Sequence, residues 1–162
     1  MAARPPVVAC LFYKDPIAAM RWLEQAIGCE TTELVVDAEG RVGHAEVSFR
    51  GSPIGIAREW SGPQIGHTPM RSPLSTDGAN TQFLRLEVET GIDALWERAR
   101  TAGARITQPL EDQFYGARTF RFIDPEGHVW NFEQTVAQPS VADMEKATGL
   151  KFHKTLAEAG HG

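Results

Sequence analysis

One pattern occurs twice in this 162-residue chain: a strand, an amphipathic helix and three more extended stretches, then the same order again. Such internal repetition restricts the fold more than composition does, because each copy must bury the same faces in the same way. In the first copy a strand at residues 7–13 leads to Asp15-Pro16, with Asp suited to the helix N-cap and Pro to the first helical position. The inward stripe is Ile17, Met20, Leu23 and Ile27, and Gly28 is a natural stop. Extended stretches follow at 31–36, 42–49 and 54–57, divided by DAEG and RGSP. In the second copy a strand at 82–88 leads to Thr90-Gly91-Ile92-Asp93, which reads as a capping box with Asp in place of Glu. Its stripe is Ile92, Leu95, Trp96, Ala99 and Ala102, closed by Gly103, and strands are expected near 105–107, 117–123 and 129–134. Trp22 and Trp96 hold equivalent helix positions, so a duplication of about 75 residues is the simplest account.

The expected fold is α+β, with tandem βαβββ modules at residues 1–57 and 82–136, a long connection at 58–81 and a helical extension at 137–162. The connection is rich in Gly, Pro, Ser and Thr and reads as a lid or subunit-contact arm, or else as a passive linker. In the extension, Ser140 caps a helix reaching about Thr148, and Val141, Met144, Leu150 and Phe152 are expected to pack on the body.

The chain is long enough to bury a core without metal or disulfide staples. A net charge of -5 and a pI near 5.5 argue against a nucleic-acid partner, which needs a basic face. The apolar run from Val7 to Phe12 is too short for a signal segment and no stretch has the length of a membrane span, so a cytoplasmic location is expected. Cys10 and Cys29 form no CxxC pair and are read as reduced, partly buried thiols.

The stretch DQFYGARTFRFIDPEGHVWNFEQ, residues 112–134, adds a specific motif. Asp124-Pro125-Glu126-Gly127 has the residues of a type I turn. The paired pattern and the Tyr-Gly-x-Arg, spacer, Asp-Pro-Glu-Gly-His combination together resemble the vicinal oxygen chelate superfamily, which includes glyoxalase I, bleomycin-resistance proteins and extradiol dioxygenases. Within it the motif looks most like the PhnB-like branch. The resemblance implies an incurved mixed sheet around a cavity, often completed in a homodimer. It also implies that a metal, where present, takes ligands from the first and last strands of each module. Carried across by strand position, those places hold Val8, Gly55 or Ile56, Phe83 and Asn131. Only Asn131 offers a donor, and one neutral oxygen cannot hold a transition metal, so no cofactor is expected. His128 is read as bracing the turn, and His67, His153 and His161 as surface residues.

Strand alternation sorts side chains into a helix-facing and a cavity-facing row. Val7, Ala9 and Leu11 fall to the helix side, leaving Val8, Cys10 and Phe12 for the cavity. Phe83, Arg85 and Glu87 join them opposite Leu84, Leu86 and Val88, and Asn131 and Glu133 lie opposite Trp130 and Phe132. This set suits an aromatic or apolar small molecule with a polar or anionic substituent near Arg85, unless Arg85 and Glu87 merely pair with each other. Tyr115 and Arg118 either line the mouth or brace the preceding turn, and Trp60 either closes over a ligand or packs on a neighbouring subunit. His44 and Glu46 share one face, read in preference as an outer face because Ala45, Val47 and Phe49 form the apolar row.

Two functional readings compete. The first is a metal-free protein that binds or sequesters an aromatic or drug-like compound. The second is a lyase, isomerase or dioxygenase using His44, Glu46 and Glu133 as a relocated divalent-metal or acid-base site. A protein-interaction module is a third, without positive support in the residues.

Overall fold

The structure is a computed structural model and describes residues 5–60, 62 and 68–160. The first module comprises β1 (Ala9–Tyr13), α1 (Pro16–Ile27), β2 (Glu30–Val36), β3 (Val42–Phe49) and β4 (Ser52–Arg58). The second comprises β5 (Leu84–Glu87), α2 (Ile92–Thr101), β6 (Arg105–Asp112), β7 (Ala117–Ile123) and β8 (Val129–Thr135), and α3 (Val141–Thr148) follows. Each module is one four-stranded mixed sheet, in the orders β1-β4-β3-β2 and β5-β8-β7-β6, so the α+β fold of tandem βαβββ modules is as expected, each module supplying its own sheet. The first and last strands of each module pair in parallel, and the other neighbours are antiparallel.

The two helices pack on each other, and the helix-facing rows of both sheets merge into one core. Stacked Phe120, Phe122 and Phe132 form its aromatic centre, with Trp22 edge-on to Phe122 at 5.6 Å, Trp96 edge-on to Phe120 at 5.4 Å and Phe49 reaching Phe132 across the modules at 5.5 Å. Polar links reinforce the seam: Trp22 Nε1 donates to the Ala102 carbonyl, and the Arg98 guanidinium donates to the carbonyls of Glu24 and Gln25 at the end of α1.

The Asp124-to-His128 turn is the principal clasp between modules. Asp124 Oδ1 accepts from the backbone N–H groups of Glu126, Gly127 and His128, which shapes the turn. Its Oδ2 accepts from Tyr13 Oη at 2.7 Å and Trp130 Nε1 at 3.1 Å, all three groups being buried. Glu126 reaches back to accept from the N–H groups of Lys14 and Asp15 at the start of α1, and from Ser72 Oγ in the connection. The His128 ring meets the Phe12 carbonyl at 2.9 Å, so the expected bracing role holds and extends across modules.

The outline differs from expectation at places where local chemistry misleads. Val7 is 82% exposed because β1 begins at Ala9. The N-cap of α2 is Gly91 without a side-chain cap bond, and the Ile92 N–H is met by Gln134 Oε1 instead of the Thr90-to-Asp93 box. The connection is partly ordered by a Trp60–Met70 bridge and a short turn at Pro73–Ser75, pinned through Ser72 and Ser75 to Glu59. In the extension Ser140 caps α3 as expected, yet the helix buries no residue. Val141, Leu150 and Phe152 are exposed and so do not pack on the body, and Met144 is only half-buried. His153 is exposed, whereas His67 and His161 lie outside the described residues.

Two measurements check this account. Asp124→Ala strands the Tyr13 hydroxyl and the Trp130 indole N–H and removes the side-chain acceptor of three turn N–H groups, and is expected to lower the urea-unfolding free energy by on the order of 4 kcal/mol; an unchanged midpoint would mean that the clasp does not hold the modules. Burial raises the Tyr13 phenol well above its ordinary 10.0, aided by the Asp124 charge, and pushes the Cys29 thiol from 9.0 up to about 12, aided by Glu24. Both groups fold neutral, so their contribution is complete below their ordinary values and is lost as pH rises through the folded ones. Urea midpoints are therefore expected to fall between about pH 9 and pH 12, and Cys29→Ala should make the fall at its lower end shallower.

Candidate ligand-binding site

The sheet faces turned away from the helices carry the chemistry, and register aligns them as two equivalent rows. Across the first sheet, Cys10, Gly55, Glu46 and Glu33 are neighbours on successive strands. Across the second, the corresponding neighbours are Arg85, Asn131, Arg121 and Gln108. Gly55, not Ile56, belongs to the open face: Ile56 is buried in the core, and a Cβ on Gly55 would stand 2.8 Å from Cys10 Sγ. A ligating side chain at that place would need Cys10 to move.

The parity of His44 and Glu46 corrects the preferred outer-face reading. Since Ala45 and Val47 point into the core, His44 and Glu46 occupy the same open face as Cys10. Glu46 is buried and accepts from Thr32 Oγ1, while His44 is exposed with its Nε2 3.8 Å from Glu33. Glu133 lies on the other sheet, paired with Arg85, and no group of three or more His, Cys, Asp and Glu residues among the described ones is placed to hold a metal. Within one chain, then, the three relocated-site candidates do not meet.

The second row borders a cavity of about 490 Å³. Phe83, Arg85, Tyr115, Asn131 and Glu133 line it as expected. Arg121, Gln108, Thr119 and Gln113 complete the lining; the alternation of Thr119 and Arg121 with Phe120 and Phe122 carried the signal for two of these. Arg121 lies over the Phe83 ring, 5.2 Å from its centroid, and its Nε donates to Asn131 Oδ1 at 3.3 Å. Gln108 Nε2 donates to Thr119 Oγ1. Arg85 is held by Glu133, not by Glu87, and the hydrogen bond and charge of Glu133 raise its already high pKa.

The other expected site residues are distributed elsewhere. Cys10 and Phe12 border a separate cavity of about 360 Å³ beneath Met70 and Arg71 of the connection. Trp60 packs edge-on against Phe12 at 5.0 Å, with its Nε1 donating to the Thr68 carbonyl. Glu87 borders a third cavity of about 480 Å³, shared with Phe83, Arg85, Phe49 and Ile54. Val8 is half-buried just before β1. Arg118 is drawn away to Asp112 and Asp93, tying β6 to the first turn of α2, so it braces the scaffold and does not line the cavity. Gly116 is required beside it: its φ is +88°, and the Ala137 carbonyl occupies the space of a Cβ.

Comparison with known proteins identifies the family of the fold. The model of the Glyoxalase/Bleomycin resistance protein/Dioxygenase superfamily matches residues 6–132. The chain belongs to this superfamily. An uncharacterised protein of Mycobacterium bovis is 27% identical over 143 residues, covering 88% of this chain and 91% of that one. Among solved structures of the same fold, TioX from Micromonospora sp. ML1 is similar with a TM-score of 0.60 and 26% identity, over 80% of this chain and 98% of its own. A glyoxalase/bleomycin resistance protein/dioxygenase from Nocardioides gives a TM-score of 0.61 at 18% identity, over 86% of this chain and 91% of its own. In this superfamily member no helix among the described residues is long and apolar enough to cross a membrane.

The two thiols give a direct check on the register. Cys10 is exposed and Cys29 is buried with its pKa raised to about 12. A disulfide reagent should titrate one thiol rapidly in the native protein and the second only on unfolding, with Cys10→Ser abolishing the fast phase; two fast thiols would place Cys29 wrongly.

Proposed function

We propose that this glyoxalase/bleomycin-resistance superfamily protein is a metal-free binder of a small aromatic or otherwise apolar molecule, acting in the cytoplasm as a homodimer. The observation that carries the reading is the row Arg85, Asn131, Arg121 and Gln108. Asn131 is the one donor at the positions where the resemblance would place metal ligands, and its Oδ1 already accepts from Arg121. A divalent ion set there would also face the Arg121 guanidinium, which has no carboxylate partner among the described residues and bonds to Asn131 itself, a repulsion that a partly desolvated site amplifies. The same groups suit an organic ligand: Phe83 supplies an apolar face, and the amide, hydroxyl and guanidinium groups around it fix orientation.

A second copy accounts for the openness of the face. Phe83 is 51% exposed and the Arg85 side chain 64% exposed in a single chain, and an apposed face would exclude water from the ligand. The Tyr-Gly-x-Arg and Asp-Pro-Glu-Gly-His motifs support a place in the PhnB-like branch.

The test is calorimetric titration of chelator-treated protein with a panel of bicyclic aromatic compounds, beside Phe83→Ala. Phe83 is half out of the core, so its loss leaves folding intact. Saturable binding without metal, weakened about tenfold or more by the substitution, is expected. Binding that appears only on adding a divalent metal, or is indifferent to Phe83, would refute the proposal.

A further inference from the structure

We infer that the second-module cavity is an anion subsite, in which the terminal nitrogens of Arg121 take a carboxylate carried by the apolar ligand; the inference rests on the binding function proposed above. Arg121 is half-buried with its guanidinium carbon 5.2 Å from the centroid of the Phe83 ring, and its Nε is committed to a neutral partner, Asn131. That leaves the Nη1/Nη2 end, on a residue that lines the cavity, without a hydrogen-bond or ion-pair partner among the described residues, and such a planar fork suits a carboxylate bonded through both oxygens. The other guanidiniums near the second sheet's open face are already satisfied: Arg85 by Glu133, and Arg118 by Asp93 and Asp112. A partly desolvated guanidinium without a carboxylate partner is well placed to bind an incoming anion.

Comparison of the two rows strengthens the case. The position equivalent to Arg121 in the first module is Glu46, since each pairs with the matching residue of the last strand, Asn131 or Gly55. The equivalent of Arg85 is likewise Cys10, and that of Gln108 is Glu33. One frame thus presents carboxylates at two places in the first copy and guanidiniums at two in the second. The Glu46 carboxylate accepts from Thr32 within its own sheet, so it is not an unclaimed partner for Arg121. Glu133, which also lines the cavity, is engaged by Arg85. Neither carboxylate is therefore left to pair with Arg121, which leaves its terminal nitrogens to an anion from outside.

The experiment compares matched pairs by calorimetry on the full chain: 2-naphthoate with 2-naphthamide, and indole-3-carboxylate with its amide. Wild-type protein is expected to bind each carboxylate about tenfold or more tightly than its amide, and to lose that margin in high salt. Arg121→Met, which keeps an apolar stem on Phe83, should bind both members at the amide's affinity. Arg121→Lys should recover part of the preference, and Arg105→Gln, which removes an exposed charge on β6, should leave it intact. Equal affinity for acid and amide in the wild type, or a preference that survives Arg121→Met, overturns the anion subsite while leaving the binding function standing. If no member of either pair binds, both fall.

Discussion

The carboxylate of Asp124 is the point on which the rest of the molecule turns. One oxygen closes the turn between β7 and β8, and the other is shared by Tyr13 of the first module and Trp130 of the second. A buried carboxylate is tolerable only when its acceptor capacity is filled, and here five donors fill it. Glu126 adds the start of α1 and Ser72 of the connection to the same node. The motif that stands out most in the sequence is therefore architectural: it fixes how one copy of the repeat sits on the other, and so fixes the open faces to which the proposed binding is assigned.

Within that frame the two copies have diverged in charge while keeping register. Equivalent places across the four strands carry Cys10, Gly55, Glu46 and Glu33 in one copy and Arg85, Asn131, Arg121 and Gln108 in the other. The helix-facing rows show no such divergence, because any charge there would enter the shared aromatic core. Function has room to change only on the face that the core does not use.

Much of this was legible in the sequence, for reasons that differ by element. The period-two rows of 82–88 and 129–134 and the 3.6-residue stripes of both helices read correctly because a buried face constrains every second or every third to fourth residue. Asp124-Pro125-Glu126-Gly127 read as a turn because its residues meet a local requirement, and the Gly127 N–H does bond to the Asp124 carbonyl. What was illegible depended on partners distant in the chain. The bracing alternative for Arg118 was legible, with Asp112 six residues away, but its second partner Asp93 was not, and nothing near Ile92 shows that Gln134 replaces a local cap. Arg121 was overlooked although it obeys the alternation that placed Arg85; its position over Phe83 is a tertiary fact. The apolar residues of the extension suggested packing by composition alone, which specifies no surface to pack on.

The central claim is that the open face of the second module binds an organic ligand without a metal. Elemental analysis of protein purified without added metal, before and after dialysis against chelator, tests it most directly. The account predicts only traces of transition metal, with no change in fold or ligand affinity on dialysis. About one equivalent of metal per chain that survives dialysis would contradict it.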